Sequence, residues 1–154
     1  MSLHIIKNID PLNCDKFVNM LYINFMNLAQ YPNLLHNKTE LKRLVTSKNT
    51  HIYIIMINNK IVSYLVGEIK KSNDKRTVFY INYLFTAKRF RKQGYGDTLM
   101  KYVIKMIQGS NYDGILLTCD TEDRRAYHFY SARGFMPDMI LRTYQKYDVL
   151  FRAC

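Results

Sequence analysis

With 154 residues the chain is long enough for one domain with a real core and too short for two comfortable ones. Its 48% hydrophobic content excludes a disordered chain, and no apolar run is long enough to span a bilayer. A net charge of +11 leaves three kinds of partner open: nucleic acid, an anionic membrane surface or an anionic cofactor.

No repeat or linker-like stretch divides the chain, so a single domain over residues 1–154 is expected. Residues 3–9 read as a first strand. Asp10-Pro11 reads as a helix opening, because proline tolerates an early helical position. Phe17, Leu21, Phe25 and Leu28 then recur at helical spacing, and a second helix is expected from Thr39, with Leu41, Leu44 and Val45 on its apolar face. Two β-prone runs, 51–57 and 61–70, flank Asn58-Asn59, a pair that tolerates the positive φ of a tight hairpin. Residues 77–85, "TVFYINYLF", read as a central strand. Leu99, Met100, Val103, Ile104 and Ile107 predict a helix that Gly109 and Ser110 stop. A buried strand over 114–119, a helix over 123–132 ended by Gly134, and strands over 139–143 and 149–152 complete the order. The expected class is α/β, an α+β-type mixed sheet, mostly antiparallel, with one strand–helix–strand crossover.

Cys14, Cys119 and Cys154 fit neither a disulfide framework nor a zinc site. The opening Met-Ser-Leu-His has no leader pattern. Both observations point to a cytoplasmic location.

The stretch "KRFRKQGYG", 88–96, places Lys88, Arg89, Arg91 and Lys92 just before a helix. A helix start already carries partial positive charge, so extra cations there make sense if an anion occupies it. Gly94 and Gly96 would let the backbone turn and approach a ligand, while successive N–H groups cradle a phosphate or pyrophosphate. No Gly-Lys-Ser/Thr follows, and Leu99 stands where a dinucleotide fingerprint has its third glycine, so neither of those motifs applies. A tight turn with a solvated basic face is the bland alternative.

"RKQGYG", 91–96, resembles the Q/R-x-x-G-x-G/A signature of the GNAT superfamily of N-acetyltransferases. "DRRAYHFYSARGF", 123–135, is similar to the later N-x-x-A-x-x-F/L-Y-x-x-x-G-F pattern of that family, with Ala126, Phe129, Tyr130, Gly134 and Phe135 in place. The resemblance implies the GNAT fold, with a splay between the fourth and fifth strands, and acetyl-CoA as cofactor. It implies that Arg91, Lys92, Gln93, Gly94, Tyr95 and Gly96 hold the pyrophosphate. Leu84, Phe85 and Thr86 would pair with the pantetheine arm, a main-chain N–H near Leu84 would polarise the acetyl carbonyl, and Ala126 and Tyr127 would lie beside the cofactor. Tyr130 matches the general acid that protonates the departing thiolate. Asp123 stands where the family often has asparagine. An ionised aspartate cannot donate, so a helix-capping role competes with a binding one.

Deprotonating a lysine-type amine at pH 7 costs roughly 4.6 kcal/mol, against about 1–1.4 kcal/mol for an α-amine, so a lysine-like acceptor benefits most from a placed base. Tyr80 stands where some members of the family carry a glutamate, and Asn82 follows on the same face by strand alternation. Glu68 on the neighbouring strand is the acidic candidate, and a water relay touching Tyr80, Asn82 or Glu68 is expected. His51 and His128 are more distant alternatives. Tyr31, Leu34, Leu35 and His36, within 30–38, would form a partly apolar pocket lip.

The reading is therefore an acyltransferase moving acetyl to a primary amine of a small molecule or peptide by direct attack. Cys119 is read as packing rather than a nucleophile. A CoA-binding module without turnover, or a basic RNA-associated protein, is the alternative. Neither a membrane nor a nucleic acid is the expected partner, no metal site is expected, and a homodimer is compatible with the reading.

Overall fold

Two asparagines in the left-handed region, Asn58 (φ 51°) and Asn59 (φ 62°), turn the chain between β2 (Thr50–Ile57) and β3 (Lys60–Lys71). That is the backbone a two-residue hairpin needs. The computed structural model describes residues 2–7, 10–27, 38–120, 122–138 and 147–154. The other elements are β1 (Ser2–Lys7), α1 (Asp15–Asn27), α2 (Lys38–Thr46), β4 (Thr77–Thr86), α3 (Tyr95–Gln108), β5 (Gly114–Asp120), α4 (Arg124–Ser131), β6 (Met136–Pro137) and β7 (Tyr147–Ala153). The element order agrees with the sequence reading through α4; beyond it lie β6 at Met136–Pro137, which the sequence did not suggest, and β7, which covers the expected last strand. The expected 139–143 strand and the pocket lip at Tyr31, Leu34, Leu35 and His36 lie outside the described residues.

The first helix starts later than Asp10-Pro11 suggests. Asp10 Oδ1 accepts the Leu12 N–H at 3.0 Å and its carbonyl accepts Asn13 N–H at 2.9 Å. These bonds close a turn, and the helix begins only at Asp15, just beyond buried Cys14. Aspartate competes for backbone N–H groups in this way wherever a turn is available.

The seven strands run in the order β1-β2-β3-β4-β5-β7-β6. Every pairing is antiparallel except β4 with β5. On one face, α1 and α2 bury Cys14, Val18, Leu21, Leu41 and Val45 against Ile52, Ile54, Tyr64, Val66 and Tyr83. On the other, α3 buries Leu99, Met100, Val103 and Ile107 against Tyr53, Leu65, Phe79, Ile115 and Leu117, with Phe129 and Tyr130 of α4 at the margin. The apolar spacing of α3 is the cause: four core residues on one stripe, lysines on the other.

Two irregularities in β4 position the site. Its parallel pairing with β5 covers only Val78–Gly114, Phe79–Ile115 and Tyr80–Leu116, and beyond these residues the strands part. Its pairing with β3 skips one residue: Val66 faces Tyr83 while Gly67 faces Ile81, so Asn82 is a bulge. The bulge reverses which layer each side chain joins. Phe79 and Ile81 pack with α3, whereas Tyr83 and Phe85 pack with α1 and α2. Leu84 consequently turns back toward the α3 layer. Gly67 lies opposite, where a Cβ would come within 2.3 Å of the Phe79 ring. The close crossing of β3 and β4 therefore requires glycine there.

Candidate active site

α3 begins without a side-chain cap. Gly94 occupies its N-cap position in the left-handed conformation (φ 87°, ψ 6°). Thr98 N–H closes the first turn on the Gly94 carbonyl at 2.9 Å. Helix geometry leaves the N–H groups of the preceding turn without intrahelical acceptors. Among the described residues, no atom beyond its two chain neighbours lies within 4 Å of where a Gly94 Cβ would be. The glycine is thus required by its φ and leaves open space in front of the amides. Lys92 also has positive φ (64°), so the turn into the helix bends twice in the left-handed sense.

This helix start opens onto a cavity of about 490 Å³ lined by Leu84, Thr86, Phe90, Gly96, Ala126 and Tyr130, with Arg91, Lys92 and Arg133 among the cations at its rim. Arg91 Nε donates to the Thr86 carbonyl at 2.9 Å, tying the end of β4 to the basic loop. Asp97 would oppose an anion here, but two cations offset it. Lys101 at 3.0 Å and Arg133 at 2.8 Å hold its carboxyl below the usual carboxylate range. Arg133 also lies over the Phe129 ring at 3.6 Å, which fixes one wall.

The Ala87 N–H donates to Val62 O at 2.8 Å, and Phe85 O accepts the Ser63 hydroxyl at 2.8 Å. Residues 85 and 87 therefore direct their main-chain groups toward β3. Strand alternation directs those of Leu84 and Thr86 to the opposite edge, where β5 has left. These are polar backbone groups on an opened strand edge, beside the cavity.

Tyr130 lies where the cavity reaches the parted strands. Its ring meets Phe129 and Phe135 edge-on at 5.4 and 5.6 Å. Burial, with Cys119 and Asp123 adding to it, pushes the phenol well above its ordinary value, so it keeps its proton. Cys119, 4% exposed, is raised to about 11 by burial and by nearby Asp123, Asp120 and Asp148. A thiol held neutral in this way is a poor nucleophile.

The other sequence-derived candidates divide between two places. Glu68, Tyr80 and Asn82 come together on the α1/α2 side of the splay: Glu68 pairs with Tyr80 across the strands, and Asn82 Nδ2 donates to Glu68 Oε1 at 3.5 Å. The Tyr80 hydroxyl meets Thr118 Oγ1 at 3.0 Å, bridging the point where β4 and β5 separate. Thr118 was missed in the sequence, although alternation along 114–120 puts it opposite Cys119. Arg133 was missed as well, and only its place one turn after Phe129 hints at its role.

Four residues expected at the cofactor turn their side chains elsewhere. Tyr127 falls on the far side of α4, in a second depression with Arg124, His128 and Asp148. Asp123 accepts the Ala126 N–H at 3.1 Å and caps α4. Gln93 donates to the Arg89 carbonyl at 3.2 Å. The Phe85 side chain packs on Tyr64, with ring centroids 5.3 Å apart, in the opposite layer. His51 meets the Tyr53 hydroxyl at 3.1 Å and packs against Phe79. Among the described residues no group of side chains could hold a metal ion, and no helix is long and apolar enough to cross a membrane.

A bulged central strand parts from its parallel neighbour, with a glycine-capped helix start beside the gap. Residues 19–135 match the acetyltransferase (GNAT) family, and the chain belongs to it; it is an acyltransferase. A sequence search of curated proteins found no match. Solved structures share the fold at low identity. A GNAT-family acetyltransferase from Streptococcus pneumoniae is 17% identical with a TM-score of 0.70, covering 99% of each chain. Arabidopsis thaliana Naa50, in complex with the bisubstrate analogue CoA-Ac-MVNAL, is 20% identical with a TM-score of 0.68 over 100% of each chain. An aminoglycoside acetyltransferase from an uncultured soil metagenomic sample, in complex with sisomicin, is 15% identical with a TM-score of 0.69 over 94% of each.

Proposed function

We propose that the protein transfers an acetyl group from acetyl-CoA to a primary amine of a small molecule or peptide, with Tyr130 as general acid. The observation that carries this is the open helix start at Gly94, which shares one cavity with Tyr130 and with the freed backbone edge of β4. Acetyl-CoA fits the residues present. The amides of 94–96 and the side chains of Arg91 and Lys92 would take the pyrophosphate, Leu84 and Thr86 the pantetheine arm, and Ala126 offers a small surface beside it. When bound, the cofactor supplies an activated acetyl thioester.

The chain's own residues do the rest. The Leu84 N–H donates toward the gap and would polarise a carbonyl held there. Tyr130 holds a proton on its phenol oxygen. Burial weakens that phenol as an acid, but it also raises the proton affinity of a thiolate forming beside it, in the direction the Cys119 thiol illustrates. With Cys119 neutral, transfer proceeds by direct attack rather than through an acetylated cysteine. Glu68, Tyr80 and Asn82 face the amine side of the splay and would order the water that receives the amine proton. Neighbours in complex with an aminoglycoside, or with a CoA–peptide bisubstrate analogue, support amine acceptors of these two kinds.

Thermal unfolding with acetyl-CoA, run beside a free-thiol assay on a panel of amines, tests the reading. Acetyl-CoA should raise Tm in the wild type and in Tyr130→Phe alike. Tyr130→Phe should slow thiol release about a hundredfold or more. Unchanged turnover in Tyr130→Phe would remove the acid assignment.

A further inference from the structure

Arg133 lies just past α4 and lines the same cavity as Gly96 and Phe129. Its guanidinium carbon sits 3.6 Å from the centre of the Phe129 ring. So close an approach lays the two planes face to face, because an edge-on group would bring its nitrogens too near the ring. Within its own plane, Nε donates to Asp97 Oδ1 at 2.8 Å and Nη1 donates to the Phe129 carbonyl at 2.7 Å. Two in-plane bonds and one ring beneath fix the orientation of the group. Asp97 is itself held, since its second oxygen meets Lys101 at 3.0 Å.

This geometry does not suit a phosphate. Arginine grips phosphate with two parallel N–H groups, and here Nε and Nη1 are already committed within the protein. Only Nη2 is left without a bond among the described residues, and the Asp97 carboxylate offsets the charge. What remains available is the flat face turned away from Phe129. The Arg133 side chain is 23% exposed, so packing does not seal it. A planar, delocalised cation backed by an aromatic ring is a platform for another planar π-system, and nucleobases stack on guanidinium groups in this way. Acetyl-CoA carries one such group, its adenine, on the opposite side of the diphosphate from the thioester. Arg133 stands at the diphosphate end of the cavity, because the residue it bonds, Asp97, directly follows Gly96.

We infer that Arg133, backed by Phe129, stacks on the adenine of the cofactor, and that Asp97 is the positioning residue that holds the guanidinium plane. The inference rests on the cofactor placement proposed above. It adds a contact that reads the base to a site otherwise built for the diphosphate and the pantetheine arm.

Isothermal titration calorimetry of the full chain tests it, with CoA and with an abasic CoA analogue that carries hydrogen in place of adenine at ribose C1′. Both ligands keep every phosphate. The wild type should bind the analogue about tenfold more weakly than CoA, the worth of one stacked base. Arg133→Lys keeps a cation near Asp97 but offers no flat face. It should bind CoA about as weakly as the wild type binds the analogue, and should distinguish little between the two ligands. Equal affinity of the wild type for both ligands overturns the assignment, and that comparison stands even if Arg133→Lys is unstable. Undiminished discrimination in Arg133→Lys also overturns it, as does an equal loss for both ligands there, which would make Arg133 a phosphate contact. A wild type that binds neither ligand removes the cofactor placement itself, and the stacking with it.

Discussion

Two glycines of this chain have nearly the same backbone and different surroundings. Gly94 (φ 87°) opens the candidate anion site, and Gly134 (φ 88°) follows α4, where a Cβ would come within 3.2 Å of Arg152 Nε. Alanine at either position incurs the left-handed penalty, about 1–2 kcal/mol. For a chain of this length each kcal/mol lowers Tm by roughly 2–4 °C, so both variants should lose a similar, modest amount. Only Gly94→Ala puts a methyl group into the space before the α3 amides. Acetyl-CoA at a hundred times its Kd stabilises the wild type by about 2.7 kcal/mol. If the methyl group weakens binding about a hundredfold, the loss of one or two charge-assisted hydrogen bonds, that falls to about 0.4 kcal/mol. Thermal unfolding with and without acetyl-CoA reads this directly. Gly134→Ala should keep the full ligand-induced shift and Gly94→Ala should lose most of it. Equal ligand-induced shifts in the two variants would refute the claim that the α3 start holds the cofactor.

Gly67→Ala would drive a Cβ into the Phe79 ring and toward Tyr80 O (2.9 Å), and should cost about 2–3 kcal/mol by chemical denaturation, with the β3–β4 crossing loosened. Arg76 spans Asp138 with contacts of 2.6 and 3.2 Å and lies over the Phe151 ring; Arg76→Ala removes both charge-assisted contacts from the buried Asp138 carboxylate, and denaturant titration should show a loss of about 3 kcal/mol. Because the folded Cys119 thiol is raised to about 11 from 9.0, the unfolded chain releases its proton first. That contribution is complete below about pH 9 and is lost as pH rises toward 11, so Cys119→Ala should show a shallower fall of stability over that window in pH-dependent denaturation. The same variant should retain turnover, since no acetylated cysteine is required.

Local chemistry made most of the fold legible. Asn58-Asn59 marks a hairpin because few other residues accept two consecutive positive φ values, and the α3 stripe marks a helix because its apolar spacing fits no strand. The start of α1 was misjudged because Asp10 has two uses for its carboxylate, and a turn won. The glycine-capped helix and Tyr130 could be located from motifs, whose spacing reflects backbone constraints. The placements of Tyr127, Phe85 and Asp123 could not. Which side of α4 carries the cavity depends on how that helix rests on β5. Which layer receives Phe85 depends on a bulge set by the facing strand, and no pattern within 77–86 announces it.

The extra residue at position 82 makes β4 a junction between two compartments. Before it, the odd-numbered Phe79 and Ile81 join the α3 layer; after it, the even-numbered Leu84 does. Excising Asn82 would restore an unbroken ladder with β3, Ile81 followed directly by Tyr83, and would leave Tyr83 to Thr86 in their present layers. What the sheet would lose is the side chain that reaches Glu68 from beyond Tyr80, at the point where β4 leaves β5.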